Sequence, residues 1–313
     1  MDNKTIVSPF FSIVVPVYNR SDKIASVINS IIDQSFEDWE LILVDDGSKD
    51  REELSRIVES FSEPKIKLIL RDNGGGGAAR NTGIDAARGK FLALLDSDDT
   101  FVRDKLKLCF DVLRTDSSEN TFMFSYFLVD RGLDKNWIKP ERLLKDGERV
   151  DEYLTCTSGW IQTSTMVLSS SLAKRVRFSE KLPSSQDTDF AIRCYLAGAK
   201  FVFLDKTLSI MNDVYDVNRV SKQKNVIPLL SWADENINNG MSRKSSLGYK
   251  GWQCARIISE EDRVEALKLF GKAFFKGCYD FKTSVRILAQ IIFKEKQYQA
   301  LMNFAVYLLG GKK

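Results

Sequence analysis

A chain of 313 residues that is 43% hydrophobic and 28% charged can fill one large core with an appendage, or two domains. Its formal charge of +3 is too small to argue for a nucleic-acid partner. Histidine is absent, which excludes Ser-His-Asp and Cys-His nucleophilic sites and every histidine-ligated zinc centre, so any metal rests on oxygen ligands and Mg2+ or Mn2+ is favoured.

The elements follow in order along the chain. "FSIVVPVYN" (11–19) reads as a β-branched strand ended by Pro16 and Asn19. Ser21 is a candidate cap for a helix whose apolar stripe is Ile24, Val27, Ile28 and Ile31. A second strand lies in "WELILVDDGS" (39–48), and Leu54, Ile57, Val58 and Phe61 repeat the helical spacing. "KIKLIL" (65–70) is a third strand. After "DNGGGG" a helix is predicted from about residue 78 to 88, stopped by Gly89. "FLALL" (91–95) is the fourth strand, and Leu106, Cys109, Phe110 and Leu113 mark the next helix. Alternation with short links predicts a doubly wound α/β domain, in which ligands bind outside the carboxyl ends of parallel strands.

Beyond residue 115 the pattern loosens. Residues 121–129, 162–168 and 200–204 read as strands, and "DTDFAIRCYLAG" (187–198) as a helix ended by Gly198. From about 228 the chain reads as helical. Residues 241–313 hold fourteen Lys and Arg against six Asp and Glu, a charge of +8 beside about −5 for the rest. Apolar and basic residues interleave over about 265–309, which suits either an anionic membrane surface or packing against protein. The five cysteines are scattered without a C-x-x-C pair, as expected in a reducing cytosol. The start reads as no secretory signal, and no apolar run approaches the roughly 20 residues of a membrane span.

The chemistry concentrates in "FLALLDSDD" (91–99), where an apolar strand runs into Asp96, Asp98 and Asp99. Crowded carboxylates need a cation, and hard oxygen ligands suit Mg2+ or Mn2+ bridging to a diphosphate. If the strands are parallel, these acids, Asp45-Asp46 and Tyr18-Asn19 all reach one rim, clear of the sheet. A solvated acidic turn is the plain alternative. "DSDDT" also fits the D-x-D-x-T loop of aspartyl-phosphate phosphatases with Asp96 as nucleophile, although three strands precede it here.

"SIVVPVYN", "ELILVDDGSKD" and "GGGGAARNTGIDAARGKFLALLDSDD" occur in that order, and together they resemble the signature of family 2 glycosyltransferases over residues 11 to about 215. The resemblance implies a GT-A type nucleotide-diphospho-sugar transferase fold: α/β, Rossmann-like, a mostly parallel central sheet flanked by helices, with a C-terminal helical extension. It implies a nucleotide-sugar-binding half at 1–110, an acceptor-binding half at 111–228 and the extension at 229–313. The implied activity is inverting transfer of a sugar from a nucleotide-diphosphate donor, usually a UDP-sugar, to a glycan or lipid-linked acceptor in bacterial surface polysaccharide synthesis, by a cytoplasmic protein that would sit at the inner face of the membrane where its acceptor is lipid-linked. By position, Pro16 would belong to the nucleotide-sugar site, Tyr18 would lie against the base, Asp46 would hydrogen-bond it, Arg80 would lie near the nucleotide, Asp96 would contact ribose or donor sugar, and Asp98 would hold the metal, with Asp99 as alternative or standing behind it.

Inversion requires a general base. The family keeps an acidic pair before a helix, and "SSQDTDF" (184–190) matches it with Asp187, Gln186 replacing the usual Glu. Asp187 is the expected base and Asp189 the substitute, while Ser184 and Asp187 also form a helix-capping pattern. Relatives often carry a histidine after the next strand. Here the segment is "LSIMNDVYDVNRVSK", so either Asn212 or Asp213 would stand in or the metal would have fewer protein ligands, with Arg219 and Ser221 as diphosphate contacts. Gln186 and the missing histidine leave a non-catalytic nucleotide-sugar-binding protein as the alternative from another class.

Overall fold

The computed structural model describes residues 8–132, 136–213, 225–294 and 297–298. The chain forms two compact units: residues 1–140 with 161–217, and residues 141–160 with 218–313. The second unit thus takes in a segment, 141–160, that sequence alone places in the acceptor half.

The first unit is built on a mixed sheet. Strands β1 (Phe11–Val17), β2 (Trp39–Asp46), β3 (Ile66–Arg71) and β4 (Phe91–Leu94) pair in parallel in the order β3-β2-β1-β4. Helices α1 (Ser21–Ile32), α2 (Arg51–Ser60) and α3 (Gly76–Ala86) connect them. Ile24, Val27, Ile28, Ile31, Leu54 and Val58, all on the predicted stripes, are buried against the sheet. The register pairs Val17 with Asp45 and Val14 with Leu94, so the carboxyl ends of β1, β2 and β4 share one rim, as the alternation predicted.

Past β4 the sheet becomes mixed. After β5 (Thr100–Phe101) and α4 (Lys105–Leu113) come β6 (Thr121–Asp130) and β7 (Trp137–Lys139). After α5 (Val150–Cys156), which belongs to the second unit, follow β8 (Val167–Ser169), α6 (Ser170–Val176), α7 (Gln186–Leu196) and β9 (Lys200–Asn212). Strand β8 runs antiparallel to β4 and β6, β9 runs parallel to β6, and β5 closes the edge antiparallel to β9.

Local boundaries differ from the sequence reading for identifiable reasons. Ser21 is the first helical residue of α1 rather than its cap, and its amide donates to Asp50 Oδ2 (2.9 Å). Helix α3 starts at Gly76 and ends at Ala86. Gly89 lies outside it, where a side chain would press on the Ser12 amide of β1. Residues 163–165 form a 3-10 turn rather than strand, because the Gln162 side chain accepts from the Ser164 amide (2.8 Å). Strand β9 extends to Asn212, well past residue 204.

The described part of the second unit is helical besides its loops: α5, α8 (Ile227–Asn238), α9 (Arg243–Tyr249), α10 (Ala255–Ile258), α11 (Arg263–Phe275) and α12 (Phe281–Ile292). A π-helical turn, Lys250–Cys254, joins α9 to α10. Its core gathers Cys156, Ala255, Ala266, Ala273, Cys278, Tyr279, Ile287 and Ile291. All five cysteines are buried free thiols.

Candidate active site

At the end of β1 the Tyr18 side chain is 46% exposed, leaving an aromatic face open, while Pro16 is partly covered. Asn19 adopts φ 52°, a left-handed conformation that Asn tolerates. Its amide donates to Ser48 Oγ (2.9 Å), and its Oδ1 accepts from the Lys49 amide (2.8 Å), stitching the β1 loop to the β2 loop.

Asp46 is buried rather than projecting clear of the sheet. It accepts from Arg71 Nη1 (2.7 Å), the Gly74 amide (3.0 Å) and the Gly75 amide (2.7 Å). The carboxylate therefore shapes the glycine loop. Gly75 needs its positive φ of 87° to turn into α3. At Gly77 a Cβ would collide with the Ser179 carbonyl oxygen, so the helix approaches residues 178–180 only without a side chain there. Neighbouring Asp45 is fully buried and paired with Arg51 Nε (2.6 Å).

The acids after β4 divide into distinct environments. Asp99 is 1% exposed, which corrects the expectation that all these carboxylates emerge into the crevice. It accepts from Gln162 Nε2 (2.6 Å), Ser164 Oγ (2.6 Å) and the Asn212 amide (3.2 Å). Burial, then the charges of Asp96 and Asp98, push its carboxyl well above the usual range, partly offset by the Ser164 and Gln162 bonds. Asp96 accepts from Arg80 Nη2 (2.6 Å) and its amide donates to Ser164 Oγ (3.0 Å). Asp98 sits between them in the chain and stays partly accessible.

Beneath this turn lies Lys105, fully buried. Its Nζ donates to the Ser164 carbonyl (2.8 Å) and stands 4.4 Å from the centre of the Phe101 ring. Burial lowers its pKa to about 8. Gln162, Ser164 and Lys105 were not found from sequence, where 162–168 looked like an ordinary strand. The only signal was polar: Gln-Thr-Ser-Thr immediately before an apolar run.

Arg80 gathers the distant pieces. It binds Asp96, donates through Nη1 to Gln186 Oε1 (2.8 Å), and its guanidinium carbon stands 5.2 Å from the Phe178 ring centre. Its Nε is buried with no hydrogen-bond acceptor. Gln186 also donates to the Leu182 carbonyl (2.8 Å), so both ends of its amide are engaged. Next along α7, Asp187 Oδ1 accepts from the Thr188 amide (2.7 Å). Burial and then the Asp96 charge raise the Asp187 carboxyl above the usual range, against the lowering effect of Arg80. The expected Ser184–Asp187 cap does not form. Ser185 is the N-cap, in a left-handed conformation (φ 57°) and without a side-chain cap bond. Asp189 is 1% exposed and accepts from Arg193 Nε through both oxygens (2.9 and 3.0 Å).

Asn212 reaches the cluster through its backbone amide, and Asp213 accepts from Arg131 Nε (2.7 Å). Arg219 and Ser221 lie outside the described residues. Among the described residues no group of three acids or thiols is arranged to hold a metal alone. The donor set still suits a hard ion. Asp98 with a neighbouring carboxylate would supply the one or two acidic ligands that Mg2+ takes when substrate phosphate and water provide the rest. The mutual repulsion of Asp96, Asp98 and Asp99 is what a cation would relieve.

The family model "Glycosyl transferase family 2" matches residues 12–166. The chain is 32% identical over 274 residues to the amylovoran biosynthesis glycosyltransferase AmsB of Erwinia amylovora, covering 85% of this chain and 90% of the relative. Among solved structures it resembles S. aureus TarS 1–349 in complex with UDP-GlcNAc (TM-score 0.65, 22% identity), over 84% of this chain and 79% of that one. It also resembles the mannosyltransferase PcManGT of Pyrobaculum calidifontis in complex with GDP-Man and Mn2+ (TM-score 0.58, 15% identity), over 96% and 88%. Those likenesses carry the fold, GT-A, and the identity to AmsB carries the family. The aspartyl-phosphate phosphatase and non-catalytic readings fall away, and the chain belongs to glycosyl transferase family 2 as a glycosyltransferase.

Proposed function

We propose that the protein is an inverting transferase that moves a sugar from a UDP-sugar to a hydroxyl of a glycan or lipid-linked acceptor, with Asp187 as general base. It would serve bacterial surface polysaccharide synthesis from the cytoplasmic face of the membrane. The observation that carries this reading is the meeting of Asp187, Arg80 and Asp96, drawn from α7, α3 and the end of β4, beside the rim where the parallel strands end.

The exposed Tyr18 ring would stack on the base, with Pro16 beneath it. Three of about four lone-pair positions on Asp46 are taken, which leaves one to accept an imide N–H. Arg80 would hold Asp96 in place while Asp96 meets the ribose or the sugar. Asp98 would hold Mn2+ or Mg2+ on the diphosphate, with Asp99 as the buried acid behind it. When bound, that ion supplies charge stabilisation for the departing diphosphate.

Asp187 would take the proton of the acceptor hydroxyl as its oxygen bonds to the anomeric carbon, and the carbon–oxygen bond to the diphosphate breaks on the opposite face. A raised carboxyl pKa makes the carboxylate a stronger base. Asp189 is committed to Arg193, so the base role falls to Asp187. Asn212 would act through its backbone in shaping the metal turn. Asp213, Arg219 and Ser221 remain candidates for the diphosphate end.

The test is nucleotide release from a panel of UDP- and GDP-sugars with Mn2+ or Mg2+ and a polysaccharide-type acceptor. Asp187→Asn should end transfer while UDP still binds. Full transfer by Asp187→Asn would reject the base assignment, and a preference for GDP-sugars would reject the donor.

A further inference from the structure

Exposed large apolar side chains are spread unevenly. Tyr18, Ile32, Leu70, Val112 and Ile138 stand apart in the first unit, whereas eight of the fifteen among the described residues fall between 264 and 293, on α11, α12 and their ends. Phe275 is 86% exposed and Phe281 82%, on either side of one turn. Isolated exposed apolar residues are ordinary, but a concentrated set marks a contact surface.

The two helices share a plan. At about 100° per residue, α12 buries Thr283, Ser284, Ile287 and Ile291 on one arc, while Phe281, Val285 and Ile292 form a second, exposed arc about a third of a turn away. Lys282 and Arg286 border that second arc. On α11 the buried arc is Ala266 and Ala273, the exposed apolar arc carries Val264, Leu267, Phe274 and Phe275, and Lys268, Lys272 and Lys276 follow beside it. Each helix already has a core-facing side, so the outer apolar arc is additional to what folding requires.

The turn between them is anchored. Tyr279 is buried and its hydroxyl donates to the Gly248 carbonyl (2.5 Å), Cys278 is buried, and Asp280 caps α12 through the Thr283 amide (2.7 Å). Phe275 and Phe281 are thus held outward by a fixed turn. Residues 263–294 carry seven Lys and Arg against two Asp and Glu. Among the described residues no helix is long and apolar enough to cross a membrane.

From this plan we infer that the α11–α12 face is an in-plane docking surface for an anionic lipid bilayer, with the Phe275 and Phe281 rings entering the acyl boundary and the bordering lysines meeting acidic headgroups. An apolar arc edged by basic residues is the arrangement that such contact needs, and charge complementarity selects an anionic surface over a neutral one. The inference rests on the reading of the enzyme as acting at the cytoplasmic face, and it gives that reading its contact residues.

The experiment is flotation of the full chain with vesicles of phosphatidylglycerol and phosphatidylcholine in equal parts, and with phosphatidylcholine alone, at low and high salt. The expected result is binding to the mixed vesicles only, weakened by salt. Phe275→Ser with Phe281→Ser, and separately Lys272→Glu with Lys276→Glu, should each weaken it about tenfold or more while leaving transfer to a soluble acceptor unchanged. No flotation of the unaltered protein, or equal flotation of both variants, would overturn the inference. So would a concentration-dependent dimer that Phe275→Ser abolishes, since a second copy would then own the face. Absence of vesicle binding by the unaltered protein with its transfer intact overturns this surface alone, whereas absent transfer by the unaltered protein with vesicle binding intact overturns the donor chemistry alone.

Discussion

At the rim of the first unit, Asp46 and Asp99 are almost wholly buried, and each accepts three hydrogen bonds. On α11 and α12 of the second, two phenylalanines stand nearly free of protein contact. One region keeps charge inside and the other keeps apolar surface outside, and both invert what packing alone would choose. The difference teaches where each tolerates change. The rim depends on every partner in a buried network, because a carboxylate stripped of a donor carries its desolvation cost unrelieved. On the helical face the Phe275 and Phe281 rings bury almost nothing in the fold, so these two side chains are free to serve a contact.

The sharpest way to break that contrast is at the base. Asp187→Asn should lower the turnover rate by about 10^2 to 10^4-fold with UDP binding preserved, read by nucleotide release and calorimetry. The pH profile carries the same information. Because the Asp187 carboxyl is raised, the working carboxylate forms only as pH climbs through that value, so the acid limb should lie above the ordinary Asp range of about 3.9. Asp96→Asn removes the nearby negative charge and should move the limb to lower pH. The linked stability has the opposite sense: a raised native pKa favours the protonated fold, and that contribution declines as pH rises through it.

Asp98→Ala should follow, with transfer falling about 10^2 to 10^3-fold and the dependence on Mn2+ flattening in a metal titration. Smaller again, Gln162→Ala leaves buried Asp99 short of a donor. It should cost about 1–3 kcal/mol in denaturant unfolding, with weaker metal dependence of transfer. The smallest effect belongs to the other region. Phe275→Ser and Phe281→Ser should each change unfolding free energy by no more than about 0.5 kcal/mol. A large loss there would show that the face packs against protein, and the contrast would fail.

What could be read in the sequence followed the distance over which its cause acts. The stripe Ile24, Val27, Ile28, Ile31 and the run Phe91–Leu94 are local periodicities, and both are buried as expected. Asp96, Asp98 and Asp99 at a strand end, and Asp187 at a helix start, were likewise visible. Hidden were the partners. Gln162 lies 63 residues from Asp99, and Gln186 lies 106 from Arg80. A polar side chain in a short apolar segment carries no mark of which carboxylate it will meet.

The sequence by itself determined the alternation of strand and helix, and hence the rim on which the acids stand, because side-chain period and turn residues act within a few positions of the chain. Only the tertiary structure decided that Asp99 is enclosed, that Asp46 shapes the glycine loop, that Asp189 is committed to Arg193, and that α12 carries a second apolar arc facing out. Burial and hydrogen-bond partnership belong to the packed arrangement of distant segments, and they set which carboxylate is a strut and which is left to do chemistry.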